Sequence, residues 1–99
     1  MNEEVIAVNQ DKLGRQGVRM INNDTLDIFV KPLENDEVAI AILNKSETLQ
    51  HCKIDFNKLG LTDNYNIRDL WMHKIIGTGK GWKGNIEAHE TKMFRLTKR

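Results

Sequence analysis

The sequence predicts an all-β domain, an antiparallel two-sheet β-sandwich with Greek-key-like connections, preceded by a short helical or extended N-terminal segment. From Leu26 onward apolar residues recur at every second position, which is the period of a strand with one buried face. Clusters of Asn, Asp and Gly separate these runs, and no long helical pattern lies between them. A chain of 99 residues has room for one hydrophobic core.

Residues 1–13 differ in pattern from the rest of the chain and predict one short helix. Asn2 is a suitable N-cap, and Glu3 and Glu4 complement the positive end of the helix dipole. The predicted apolar face of this helix comprises Val5, Ile6 and Val8.

Residues 26–31 predict a half-buried strand near a sheet edge, because Pro32 removes a backbone donor. Residues 38–43 are apolar on both faces, which predicts a central strand that is covered on both sides. A glycine-rich loop is expected after residue 72. Further strands are predicted at residues 49–56, 65–72, 82–87 and 91–96.

The alternation along these strands also predicts the side chains of the core. These are Leu26, Ile28, Val30, Val38, Ile40, Ile42, Ile54, Phe56, Ile67, Trp71, Phe94 and Leu96. The single cysteine, Cys52, lies in the same alternating pattern and is expected to be a buried, reduced thiol without a catalytic role.

The charge balance excludes partners that need a strong electrostatic field. Fifteen basic and fourteen acidic residues give a net charge of +1, so we expect no nucleic-acid and no membrane partner. No apolar run approaches the ~20 residues that span a bilayer. The basic residues near the C-terminus are expected to point outward from a strand; they are Lys92, Arg95, Lys98 and Arg99.

No metal site and no cofactor are expected. His51, His73 and His89 have neither the HxH nor the HExxH spacing of metal ligands, and no cysteine lies at a zinc-finger interval. Several carboxylates could serve in acid/base chemistry, but the sequence brings no two of them together. These are Asp63, Asp69, Glu87 and Glu90.

Gly79, Gly81 and Gly84 match the GxGxxG pattern of phosphate-binding loops. Such a loop requires a following helix or a downstream kinase motif, and strand-like sequence follows here instead. A mobile hairpin loop is therefore the favoured interpretation.

The two tryptophans, Trp71 and Trp82, are candidates for stacking on sugar rings, with Tyr65 as a third aromatic. The competing interpretation is packing in the core and at its rim, which is the commoner use of tryptophan in a small sandwich. We favour packing and keep Trp71 and Trp82 as candidate carbohydrate-binding residues.

Two blocks of sequence resemble glycoside hydrolase family 27, the α-galactosidases or melibiases. NEEVIAVNQDKLGRQG (residues 2–17) resembles the end of the catalytic barrel, and IRDLWMHKIIGTGKG (residues 67–81) resembles the RDLWxxKxxG hairpin of the C-terminal domain. TLDIFVKPLENDEVAIAILNKSE and AHETKMFRLT fit the family pattern between and after these blocks. The chain departs from the pattern at Lys12, where a proline is usual, and at Glu90, where glycine is common.

This resemblance implies that residues 1–17 are the end of the barrel with a linker and that residues 18–99 are the C-terminal β-sandwich. The implied parent is a retaining hydrolase of terminal α-galactosides, and related members act on α-N-acetylgalactosaminides. Its two catalytic aspartates lie in the barrel, upstream of Met1, so no catalytic residue is expected in this chain.

The implied function is a non-catalytic accessory domain that packs against the barrel and stabilises it. The alternative is a carbohydrate-binding module. We expect the helix at residues 1–13 to be mobile or misplaced without the barrel, or to self-associate through Val5, Ile6 and Val8. The reduced Cys52 is compatible with the cytoplasm and fixes no compartment.

Overall fold

A computed structural model describes residues 2–9, 18–22 and 24–99, and residues 10–17 of the predicted barrel end and linker lie outside this range. Short 3-10 helices occupy Glu34–Asp36 and Phe56–Leu59. The other elements are α1 (Glu3–Asn9), β1 (Val18–Asn22), β2 (Leu26–Pro32), β3 (Val38–Asn44), β4 (Gln50–Asp55), β5 (Tyr65–Asp69), β6 (Lys74–Gly79), β7 (Gly81–Ile86) and β8 (Thr91–Lys98).

The strands form two antiparallel sheets, which confirms the predicted sandwich. The large sheet has the order β1-β2-β3-β8-β5-β6, and the small sheet pairs β4 with β7. The chain crosses between the sheets from β3 to β4, from β4 to β5, from β6 to β7 and from β7 to β8. Strand β2 lies next to the edge strand β1, and β3 lies inside the sheet, as the sequence pattern predicted.

The core lies between the small sheet and the inner face of the large sheet. Ten of the twelve predicted core residues are buried, and Leu26 is partly buried against the same cluster. Cys52 is buried there as predicted. The remaining buried members, which the sequence prediction omitted, are Leu59, Tyr65 and Ile86.

Trp71 is the predicted core residue that the structure contradicts. Strand β5 ends at Asp69 rather than at residue 72, so the alternation does not reach Trp71, which lies in a turn with half of its surface exposed. Leu70, one residue earlier, is buried in its place, in a second cluster on the opposite face of the sheet.

The predicted glycine-rich loop after residue 72 is also wrong, because residues Lys74–Gly79 form β6 and pair with β5. Gly77 lies opposite Ile67 on the core side of this edge strand. Glycine weakens a strand, but an edge position beside a well-packed neighbour tolerates it.

Candidate interaction site on the outer face of the large sheet

The face of the large sheet that points away from the core carries the helix α1. Asn2 caps this helix, since its Oδ1 accepts hydrogen bonds from the backbone N–H groups of Glu4 at 3.0 Å and Val5 at 3.3 Å. This confirms the predicted N-cap. The Asn2 side-chain amide also donates to the Leu70 carbonyl at 2.6 Å, which ties the start of the helix to the end of β5.

Val8 is almost completely buried and packs with Leu33, Ala39 and Leu70 on this outer face. The Lys31 ammonium donates to the Val8 carbonyl at 2.8 Å, near the C-terminal end of the helix. Val8 and, in part, Val5 of the predicted apolar face therefore pack within the chain, and the expected mobility or self-association of this helix stays a prediction. The outer face of β3 was predicted to be covered, and α1 is the element that covers Ala39.

An ionic contact fixes α1 to strand β5. The Arg68 guanidinium donates to both carboxylate oxygens of Glu4, through Nη2 at 2.7 Å and through Nε at 3.0 and 3.2 Å. His73 Nδ1 lies 3.3 Å from the same carboxylate. The hydrogen bond from Arg68, with a smaller contribution from His73, lowers the pKa of Glu4 to about 2, so Glu4 is ionised at neutral pH.

Asp69 holds the turn that follows β5. Its Oδ1 accepts hydrogen bonds from the backbone N–H groups of Trp71 at 2.8 Å and Met72 at 3.0 Å. The Trp71 indole Nε1–H donates to the Thr91 carbonyl at 2.9 Å. Arg68 Nη2 also donates to the carbonyl of His73, at 2.9 Å. The turn is therefore held by hydrogen bonds to β5, which precedes it, and to β8.

Four large apolar side chains of this turn and of β6 are exposed, and we call them the hairpin patch. They are Trp71 (50% exposed), Met72 (54%), Ile75 (53%) and Ile76 (37%). Half of the Trp71 surface is open to solvent and its indole N–H is bonded to Thr91, so Trp71 belongs to neither buried cluster.

Trp82 lies on the other sheet and points towards the core. Its ring is tilted against Phe94, with the ring centroids 5.0 Å apart. A Cβ at Gly84 would lie 2.7 Å from the Trp82 indole, and a Cβ at Gly81 would lie 2.5 Å from the Ile54 carbonyl oxygen. Two glycines of the GxGxxG match are thus required by packing. The structure does not bring Trp71 and Trp82 onto one sheet.

Several of the titratable candidates are buried or paired within the domain. Burial raises the pKa of the Cys52 thiol, which disfavours the reactive thiolate. Asp63 pairs with Lys98 at 3.3 Å, and Arg95 pairs with Glu37 at 2.6 Å.

The described residues contain no group of three His, Cys, Asp or Glu side chains that could hold a metal ion. Within the same residues, no helix combines the length and the apolar character needed to cross a membrane.

Residues 23–96 match a family described as the α-galactosidase C-terminal β-sandwich domain. The α-galactosidase of Coffea arabica is 40% identical over 97% of this chain, and the α-galactosidase A of Aspergillus niger is 37% identical over 97%. The chain spans 26% of the length of the first relative and 18% of the second.

The same fold occurs in a solved structure. The α-galactosidase I of Mortierella vinacea matches with a TM-score of 0.89 over 99% of this chain and 27% of its own. At 23% sequence identity this match supports the fold alone.

Proposed function

Because the chain belongs to the family of α-galactosidase C-terminal β-sandwich domains, we propose that it is the non-catalytic accessory domain of an α-galactosidase-like glycoside hydrolase. In this role it packs on the (β/α)8 catalytic barrel and stabilises it. The parent enzyme hydrolyses terminal α-galactosides. The chain matches about a quarter of the length of its relatives, and the remaining three-quarters have room for a separate catalytic domain. This supports the assignment of catalysis to the barrel and of an accessory role to this chain.

The observation that carries the proposal is the docking of α1 on the outer face of the large sheet. By resemblance, α1 belongs to the end of the barrel. Its burial through Val8 and its ionic contact through Glu4 tie that end directly to the sandwich. A barrel end fixed in this way restricts the relative motion of the two domains, since interdomain motion is the default without such contacts.

The alternative function, a carbohydrate-binding module, stays a prediction. The half-exposed Trp71 indole with a fixed N–H favours it, because an oriented aromatic ring is what a sugar platform requires. Trp82 supports it less, since its ring packs against Phe94. Retention of the isolated chain on a galactomannan affinity gel, lost in Trp71→Ala, would favour the module over the accessory domain.

A domain replacement tests the accessory role. This chain would replace the matching C-terminal part of the Coffea arabica enzyme, giving a chimera to be compared with the same barrel truncated before that part. If the domain stabilises the barrel, we expect the chimera to lose activity on heating at least about tenfold more slowly than the truncated barrel, which corresponds to about 1.4 kcal/mol in the inactivation barrier. Equal inactivation rates would contradict the proposal.

A further inference from the structure

We propose that the hairpin patch is part of the surface that contacts the catalytic barrel, continuing the contact that α1 begins. This inference rests on the proposed function and names the surface through which it acts. The occupant to which we commit is the part of the parent polypeptide that precedes α1.

The first argument is the concentration of exposed apolar surface. Among the described residues, five large hydrophobic side chains are exposed, and four of them lie in the hairpin patch, within residues 71–76. The fifth, Leu49, is isolated from them, next to β4 of the small sheet. A clustered apolar patch rather than a scattered one is typical of an interaction site.

The second argument is the position of the patch beside the start of α1. Ile75 is the register partner of Arg68 on neighbouring strands, so both side chains lie on the same face. Arg68 reaches Glu4 of α1 on that face, and Asn2 bonds the carbonyl of Leu70, directly before the patch. The start of α1 therefore lies beside the patch.

The family description supports the choice of the catalytic barrel as the occupant. A C-terminal domain has the remaining length of its relatives on its N-terminal side, and that is the side from which the chain reaches α1. A covalently joined partner at this distance has a high effective concentration, which a second copy of the chain lacks. The barrel is thus favoured over a second copy on the same patch.

The third argument is that the patch is already held in shape. Asp69 fixes the backbone of Trp71 and Met72, Thr91 fixes the indole, and Arg68 fixes the carbonyl of His73. A rigid turn loses little conformational entropy on docking, so more of the contact energy is retained. A half-buried tryptophan with a fixed ring is a typical anchor residue of an interface.

The test introduces charge into the patch within the same chimera. The double variant Met72→Lys, Ile75→Lys should inactivate on heating about tenfold faster than the unsubstituted chimera, the rate equivalent of losing one interface anchor. The control is Leu49→Lys, which places one such charge on a similarly exposed side chain next to β4 of the small sheet. It should stay within about twofold of the unsubstituted chimera.

A second measurement does not depend on substitution. Peroxide oxidation of Met72, followed by mass spectrometry, should be several-fold slower in the chimera than in the 99-residue chain, because the barrel covers its exposed thioether. Thermal unfolding of the 99-residue double variant shows whether the domain itself still folds.

The outcomes separate the two proposals. A stable chimera in which the double variant inactivates like Leu49→Lys and Met72 is oxidised as fast as in the isolated chain overturns the patch and leaves the accessory role intact. A chimera no more stable than the truncated barrel overturns the accessory role itself. Met72 protection that appears in the isolated chain and rises with its concentration assigns the patch to a second copy and also overturns the inference.

Discussion

Replacing Leu96 by alanine is expected to lower the free energy of unfolding by about 2–5 kcal/mol. Leu96 is fully buried on β8, between its register partners Val38 on β3 and Ile67 on β5. The substitution removes buried methyl groups and leaves a cavity that strands bonded on both sides cannot collapse to fill. Since a domain of this size has a total stability of about 5–15 kcal/mol, equilibrium urea denaturation measures the loss easily.

Leu49→Ala is the matched control, because it makes the same chemical change at a side chain that is 50% exposed. We expect its unfolding free energy to lie within about 0.5 kcal/mol of the unsubstituted chain. Similar losses for the two variants would show that the core is not where the structure places it.

Replacing Asn44 by alanine is expected to cost about 2–4 kcal/mol, although it removes no apolar group. Asn44 is fully buried at the end of β3, and its Nδ2 donates to the carbonyls of Thr48 and Ile86 at 2.9 Å and of Glu87 at 3.1 Å. Its Oδ1 accepts from the backbone N–H of Ser46 at 2.9 Å and from the Ser46 hydroxyl at 2.7 Å. One amide therefore joins the ends of both sheets.

Asn44→Asp distinguishes these hydrogen bonds from side-chain volume. The aspartate keeps the size and the acceptor for Ser46 but turns the donor into an oxygen that faces three carbonyls, so it should destabilise at least as much as alanine. Asn85→Ala is the control, because Asn85 is exposed and its Oδ1 lies 3.1 Å from Nδ1 of His51, which is exposed as well. It should cost under about 1 kcal/mol in the same urea titration. An Asn44→Ala variant as stable as Asn85→Ala would contradict this role.

The sandwich could be predicted because its strands alternate strictly. Ile40 and Ile42 on β3, and Phe94 and Leu96 on β8, carry the period of two without interruption, and all four are buried. Prediction failed where that period stops. Asp69 ends β5 by bonding the backbone ahead of it, and this turn displaces Trp71 from the core pattern. Residues 74–79 form an edge strand that ends in Gly77, Thr78 and Gly79, and the composition of this end resembles a loop.

The candidate site was less predictable, since it depends on contacts between distant parts of the chain. Glu4 and Arg68 are separated by 64 residues, and no local pattern pairs them. The sequence contained one usable signal: Ala39 and its neighbours make the outer face of β3 apolar, which required a cover. The short apolar run around Val8 covers this face in the structure, but the amphipathic pattern of the run does not by itself say which surface it packs against.

The central claim, that this chain is an accessory domain without catalytic groups, is tested most directly by release of p-nitrophenol from its α-galactoside by the purified 99-residue chain. Retaining hydrolysis needs two carboxylates fixed about 5–5.5 Å apart around one bound sugar, and by resemblance both lie in the barrel. We therefore predict no release above the buffer blank. Turnover that persists through repurification and disappears when a carboxylate of this chain, such as Asp63 or Glu87, is replaced would contradict the claim.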